Sequence, residues 1–144
     1  HQAMQQASRQ YRQVLVMFID LNQFKWVNDT LGYAAGDSLL QRVAMRLTAN
    51  IRGSDTACRY GGDEFVVMLP EMEGQLSAAA AVRKIHAQLA APHVIGHRVI
   101  ALTASVGTAV YQGDEKSGEE LILQASTDMH RAKVNSSAPT ASAL

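Results

Sequence analysis

Thr56-Ala57-Cys58-Arg59-Tyr60-Gly61-Gly62-Asp63-Glu64-Phe65-Val66-Val67-Met68-Leu69-Pro70 lies near the middle of the chain and reads as a tight antiparallel hairpin. Thr56 to Tyr60 and Phe65 to Leu69 are its strands, Gly61-Gly62-Asp63-Glu64 is its turn, and Pro70 closes it. Two glycines give the backbone the positive φ that such a turn needs, and proline cannot donate to a strand ladder. Upstream, Val14 to Ile19 is an unbroken apolar run ending in Asp20, the pattern of a buried strand. Asn22 to Leu31 has mixed polarity and stops at Gly32. Gly36 to Ile51 is predicted to be a helix, because Leu39, Leu40, Val43, Leu47 and Ile51 share one face at three- and four-residue spacing. Downstream, Gln75 to Ala91 is an alanine-rich helix ended by Pro92. Val99 to Tyr111 reads as one long strand that Gly107 bends, and Glu119 to Val134 as a last helix. The order is strand, helix, helix, hairpin, helix, strand, helix. A hairpin in the middle of such a chain predicts an α+β fold, one sheet covered by helices, rather than a doubly wound parallel sheet.

Composition narrows the function classes. The 144 residues are 47% apolar and 18% charged, enough to build a core and too apolar for a disordered chain. A single domain is expected over residues 1–134, with a Ser/Ala/Pro tail, Asn135 to Leu144, that frays. The 13 basic and 13 acidic side chains cancel, which argues against a grip on a nucleic acid polymer. Cys58 is alone, so no internal disulfide or four-cysteine zinc site exists, and the lone thiol fits a reducing compartment. No run of 18 apolar residues is present, and His1 to Arg12 is polar and glutamine-rich.

The chemistry-bearing residues gather around the first strand and the hairpin. By itself Asp20 reads first as a helix N-cap, and the acids of the hairpin as a solvated turn. If the hairpin lies beside the first strand, Asp20, Asp63 and Glu64 come together as three carboxylates, a donor set suited to Mg²⁺, which takes oxygen ligands and shares its shell with phosphates. Lys25, five residues after Asp20, stands at the start of the next helical segment, where backbone N–H groups favour anions. Asn28 and Asp37 flank the Gly32-to-Gly36 loop. A carboxylate there can accept two N–H groups from a guanine edge, although a turn-forming Asn and a helix N-terminal acid explain the same residues.

Taken together, Phe18-Ile19-Asp20-Leu21-Asn22-Gln23-Phe24-Lys25-Trp26-Val27-Asn28-Asp29-Thr30-Leu31-Gly32, then Gly36-Asp37 and Leu40, then Arg59-Tyr60-Gly61-Gly62-Asp63-Glu64-Phe65 resemble the GGDEF family of diguanylate cyclases. Thr103-Ala104-Ser105-Val106-Gly107 and Met129-His130-Arg131-Ala132-Lys133 also look like family segments, so the resemblance runs from Val14 to Lys133. It implies a palm-like nucleotidyl-cyclase fold with a mostly antiparallel sheet, and the condensation of two GTP molecules into cyclic di-GMP with release of two pyrophosphates. Two domains, each holding one GTP, would meet face to face as a homodimer. Asp20, the Leu21 carbonyl and Asp63 would hold Mg²⁺ (or Mn²⁺). Asp63 would also accept the proton of the attacking 3′-hydroxyl, with Glu64 completing the acidic tip. Lys25 would stabilise charge on the phosphates; Asn28 and Asp37 would read guanine; Phe24, Gly62 and Lys133 would line the substrate. Arg52 and Asp55 form an R-x-x-D stretch at the family's distance from the signature, which implies a product-inhibition site for cyclic di-GMP, with Arg83 joining it.

Departures from the family pattern accompany these matches. Asn22 stands where a second acid is usual, Tyr33 where His is, Ser126 after Ala125 where Asp is, and His130 where Tyr is. Ser136 and Ser137 replace the Gly-Arg that often follows Lys133. The family's segment before the first strand is missing, so a domain excised from a longer chain is expected. The Ala91-Pro92 and Thr103-to-Tyr111 stretches resemble GGDEF domains that precede an EAL phosphodiesterase domain, and neighbouring sensory or EAL domains are the expected partners in the parent. A cytoplasmic domain is expected, whether or not the parent is membrane-anchored. The alternative reading is a weak or inactive domain that binds GTP or cyclic di-GMP and regulates its neighbour.

Overall fold

The computed structural model describes residues 13–49, 51, 55–72, 75–111, 113, 116–133 and 140–143. The first strand, β1 (Gln13–Leu21), occupies the middle of a four-stranded sheet. Two helices follow, α1 (Phe24–Leu31) and α2 (Tyr33–Ala49), then the hairpin β2 (Thr56–Gly61) and β3 (Glu64–Met72). Next come α3 (Gln75–Ala90), β4 (His93–Ile95), β5 (Arg98–Ala101), β6 (Ala104–Tyr111), α4 (Gly118–Lys133) and β7 (Thr140–Ala143). The main sheet has the order β2-β3-β1-β6 with every pairing antiparallel, and β4-β5-β7 forms a second small sheet. The predicted α+β architecture is therefore the observed one. No helix among the described residues is long and apolar enough to cross a membrane.

Alternation along β1 explains the layering. Successive strand side chains point to opposite faces. Leu15, Met17, Ile19 and Leu21 pack with Leu39, Val43, Leu47 and Leu89 from α2 and α3. Val14, Val16 and Phe18 pack with Leu121, Ala125 and Met129 of α4. Burying such side chains contributes about 1.5–3 kcal/mol each. Because both faces of β1 are covered, its sequence is a continuous apolar run, and the first polar residue to break it, Asp20, marks the end of the sheet.

The structure corrects several expected boundaries. Val99 to Tyr111 is two strands, not one: the chain leaves β5 at Leu102-Thr103, where Thr103 turns its carbonyl and hydroxyl to Asn22, and re-enters the main sheet as β6. The β1–β6 register runs unbroken through Gly107. A Cβ there would overlap the Ala125 carbonyl and the Met129 backbone nitrogen, so its role is to let α4 lie directly on the strand. Pro70 does not close the hairpin; β3 runs on to Met72, and the β1–β3 register shifts between Gln13 and Val14, opposite this proline. The Gly32-to-Gly36 loop shrinks to Gly32 alone, at φ 93°, because Gly36 is already buried inside α2. Ile51 lies beyond the end of α2 at Ala49. Within the stretch expected to fray, Thr140–Ala143 pairs with the open edge of β5, a small-residue strand that needs only backbone bonds to dock.

A polar fastening holds α3 against α2. Arg46 donates to the carbonyls of Gln88, Ala91 and Pro92 at 3.0, 2.6 and 2.6 Å, satisfying acceptors at the C-terminus of α3. His93 is fully buried beside it, and burial pushes its imidazole down to about 4.

Gly107→Ala is expected to destabilise the fold by about 1–3 kcal/mol, the usual cost of forcing a methyl into packed backbone. Urea denaturation checks this; an unchanged midpoint would mean that α4 is not seated on β6 as described.

Candidate active site

The site is built where β1 ends. Antiparallel register sets Asp20 opposite Glu64 on β3 and opposite Ser105 on β6. The hairpin turn is two residues long, Gly62-Asp63, with Gly62 at φ 26°. Beyond the last ladder pair, the Leu21 N–H donates to the Asp63 carbonyl at 3.2 Å, tying the turn to the end of β1. A bulge at Tyr60, between the pairs Arg59–Phe65 and Gly61–Glu64, twists the tip. Tyr60 packs its ring edge-on to Phe18, centroids 5.3 Å apart, and Arg59 donates its Nε–H to the Gly62 carbonyl at 2.8 Å.

Two carboxylates meet as a result. Asp20 is only 5% exposed; its Oδ2 accepts a 2.6 Å bond from Lys133 Nζ, while its Oδ1 is buried without a hydrogen-bond partner. Asp63 is pushed up to about 6, chiefly by burial and then by the charge of Asp20. An unpartnered buried carboxylate oxygen beside a carboxyl that resists ionisation is the electrostatic signature of a place short of positive charge. Oxygen donors alone suit a hard divalent cation such as Mg²⁺, which takes one or two carboxylates and completes its shell with water and phosphate. The expected third member does not join. Among the described residues no group of three acidic, His or Cys side chains is placed to hold a metal, and the Glu64 carboxylate lies toward Gly61.

The remaining expected residues fall around this pair. Phe24 is buried and Lys25 exposed in the first turn of α1, which starts after Gln23 in the left-handed region at φ 59°. Asn28 is half-buried on α1 and rests its carboxamide on Gly36; any Cβ at Gly36 would overlap Asn28 Oδ1. Asp37 is exposed on α2 one residue later, at the rim of a cavity of about 380 Å³. Lys133, its side chain still partly exposed, bonds Asp20. Asp55 is half-buried just before β2 and Arg83 exposed on α3, whereas Arg52 lies outside the described residues, as do Ser136 and Ser137.

Sequence reasoning missed the support beneath Asp20. Asn22 is buried, donates its Nδ2 to Thr103 Oγ1 at 2.6 Å, and accepts from Ser105 Oγ at 2.7 Å. Its backbone N–H donates to the Thr103 carbonyl at 2.9 Å. The amide joins β1 to β6 while adding no third negative charge beside Asp20 and Asp63. Its only signal in the sequence was a departure, an amide where the resembling family favours an acid.

This arrangement of β1, helix pair and acidic hairpin matches known proteins. The sequence model described as "Diguanylate cyclase, GGDEF domain" matches residues 1–138. The chain belongs to the GGDEF family. It is 42% identical over 132 residues to the bifunctional diguanylate cyclase/cyclic di-GMP phosphodiesterase MucR of Pseudomonas aeruginosa, covering 92% of this chain and 19% of MucR. The chain thus spans about a fifth of that relative's length. A solved EAL/GGDEF domain protein from M. capsulatus is 36% identical with a TM-score of 0.82, covering 94% of this chain and 87% of that one. The solved GGDEF domain of PA1120 (YfiN or TpbB) from Pseudomonas aeruginosa is 33% identical with a TM-score of 0.88, covering 94% and 84%.

The raised Asp63 carboxyl gives a pH test of the GGDEF turn. The native state holds this proton more tightly than the unfolded chain, so this group's contribution to stability falls as pH rises from about 4 to about 6. In chelator, Asp63→Asn is expected to melt above the wild type at pH 7 and level with it below pH 4. Equal melting at both pH values would mean that the two carboxylates do not repel.

Proposed function

We propose that this GGDEF domain is a diguanylate cyclase that joins two GTP molecules into cyclic di-GMP. The observation that carries the reading is the pair Asp20 and Asp63, with one orphaned carboxylate oxygen and one raised acid at the end of β1. Asp20, the Leu21 carbonyl and Asp63 would hold Mg²⁺ or Mn²⁺, which when bound neutralises phosphate charge and polarises the attacked phosphorus. Lys25, in the first turn of α1, supplies further positive charge to the phosphates, and Lys133 exchanges part of its bond to Asp20 for a phosphate oxygen. Asn28 and Asp37 accept and donate along the guanine edge, with Phe24 behind them and Gly62 leaving room beside the triphosphate. Asp63 takes the proton of the attacking 3′-hydroxyl; a carboxyl near 6 is well matched to that task at neutral pH. Each new 3′-oxygen–phosphorus bond breaks one α–β phosphoanhydride bond, so two pyrophosphates leave. Two copies of the domain must face each other, since each presents one nucleotide. Glu64, the ladder partner of Asp20, lends negative charge at the tip.

A product-inhibition site is proposed at Arg52, Asp55 and Arg83, on the R-x-x-D spacing. The MucR relative combines cyclase and phosphodiesterase in its name, which supports a parent chain with an EAL phosphodiesterase neighbour; a sensory neighbour and a cytoplasmic place for this domain are proposed with it. A second reading is favoured by one specific observation: Lys133 is engaged by Asp20 at 2.6 Å. If that bond outcompetes phosphate, the domain binds GTP or cyclic di-GMP and regulates its neighbour without turnover.

Incubation with GTP and Mg²⁺, followed by nucleotide separation, tests the proposal. Wild type is expected to form cyclic di-GMP, and Asp63→Ala to lose activity by about 100-fold or more while keeping its fold, since only a two-residue turn changes. Activity surviving in Asp63→Ala would overturn the assignment; nucleotide binding without product in the wild type would select the second reading.

A further inference from the structure

The cavity beside the hairpin carries two opposite charges that do not meet. It measures about 380 Å³ and is lined by Asp37, Leu40, Gln41 and Ala44 of α2, and by Arg59 and Phe65 of the hairpin strands. A volume of this order lies within the range of small-molecule sites, about 300–1,000 Å³. Leu40, Ala44 and Phe65 give it apolar lining beside the polar Gln41. Its charged lining is a carboxylate, Asp37, and a guanidinium, Arg59. Among the described residues these two form no ion pair with each other, although both line the same space. Arg59 spends its Nε–H on the Gly62 carbonyl at 2.8 Å, which fixes the direction of the side chain and leaves the two terminal nitrogens as an unengaged fork.

Resting on the reading of the domain as a GTP binder, we infer that Arg59 is a specificity-determining residue, its terminal nitrogens donating to O6 and N7 of the guanine that Asp37 holds by its N–H groups. Guanine offers donors on one edge and the O6/N7 acceptor pair on the adjoining one, and a guanidinium fork is the side chain that matches that pair with two parallel bonds. Adenine presents an amino donor where O6 would be, so the same fork faces a donor and rejects it. The arrangement also couples recognition to chemistry. The residue that reads the base is bonded to Gly62, the neighbour of Asp63, so a seated guanine stiffens the turn that carries the reacting carboxylate.

The test compares 3′-deoxy-GTP with its 7-deaza counterpart, in which carbon replaces the N7 acceptor; neither has a 3′-hydroxyl to react. Calorimetric titration with Mg²⁺ is expected to give about tenfold tighter binding of 3′-deoxy-GTP to the wild type, the discrimination lost with one acceptor of the pair. In Arg59→Ala the two ligands are expected to bind within about twofold of each other, whatever the overall loss of affinity. A variant that weakens both ligands but keeps the tenfold ratio would overturn the inference and leave Arg59 as a clamp on the hairpin. A wild type that binds 3′-deoxy-GTP with no preference over the 7-deaza form would overturn it as well. A wild type that binds neither would overturn the GTP reading on which it rests.

Discussion

The site depends on one constraint, the antiparallel register of β1 against β3 and its extension by the Leu21 N–H bond to the Asp63 carbonyl. That bond draws a two-residue turn onto the end of the central strand, so Asp63 sits beside Asp20 and not out in solvent. A one-residue slip would move every β1 side chain to the opposite face. Both faces of β1 are buried, by α2 and α3 on one side and by α4 on the other, so the slip would cost the whole core. The packing of the domain and the convergence of its carboxylates are therefore the same fact. Gly107 extends the constraint to α4, whose close approach brings Lys133 within 2.6 Å of Asp20.

This construction accepts an electrostatic cost. Asp20 is buried with one oxygen unpartnered, and its charge, added to burial, raises Asp63 to about 6. The lone lysine on Asp20 offsets part of that cost. A scaffold held by apolar contacts on both faces of β1 can tolerate a charge-poor pocket at the end of the strand, where a substrate's phosphates and their cations supply what is missing.

Much of this was legible in the residues. The apolar run from Val14, its end at Asp20, and the Gly-Gly turn gave the strand, the hairpin and the α+β class, because strand burial and turn chemistry are local signals. Asp20, Asp63, Asn28 and Asp37 were legible through spacing that resembles the GGDEF family. What the sequence hid is non-local. The break at Leu102-Thr103 follows from bonds to Asn22, some 80 positions away; β7 exists because β5 has an open edge; and the purpose of Gly107 is the backbone of a helix not yet formed in the reading. Glu64 looked equivalent to Asp63 in the turn, yet it is already the first ladder residue of β3, paired with Asp20, and among the described residues the three carboxylates do not assemble into a metal-holding group.

The central claim is that Asp20 and Asp63 together form a cation site at the end of β1. Anomalous diffraction from crystals grown with Mn²⁺ and 3′-deoxy-GTP tests it most directly. The account predicts a manganese peak within bonding distance of a carboxylate oxygen of both Asp20 and Asp63. Nucleotide density with manganese bound only elsewhere would contradict it.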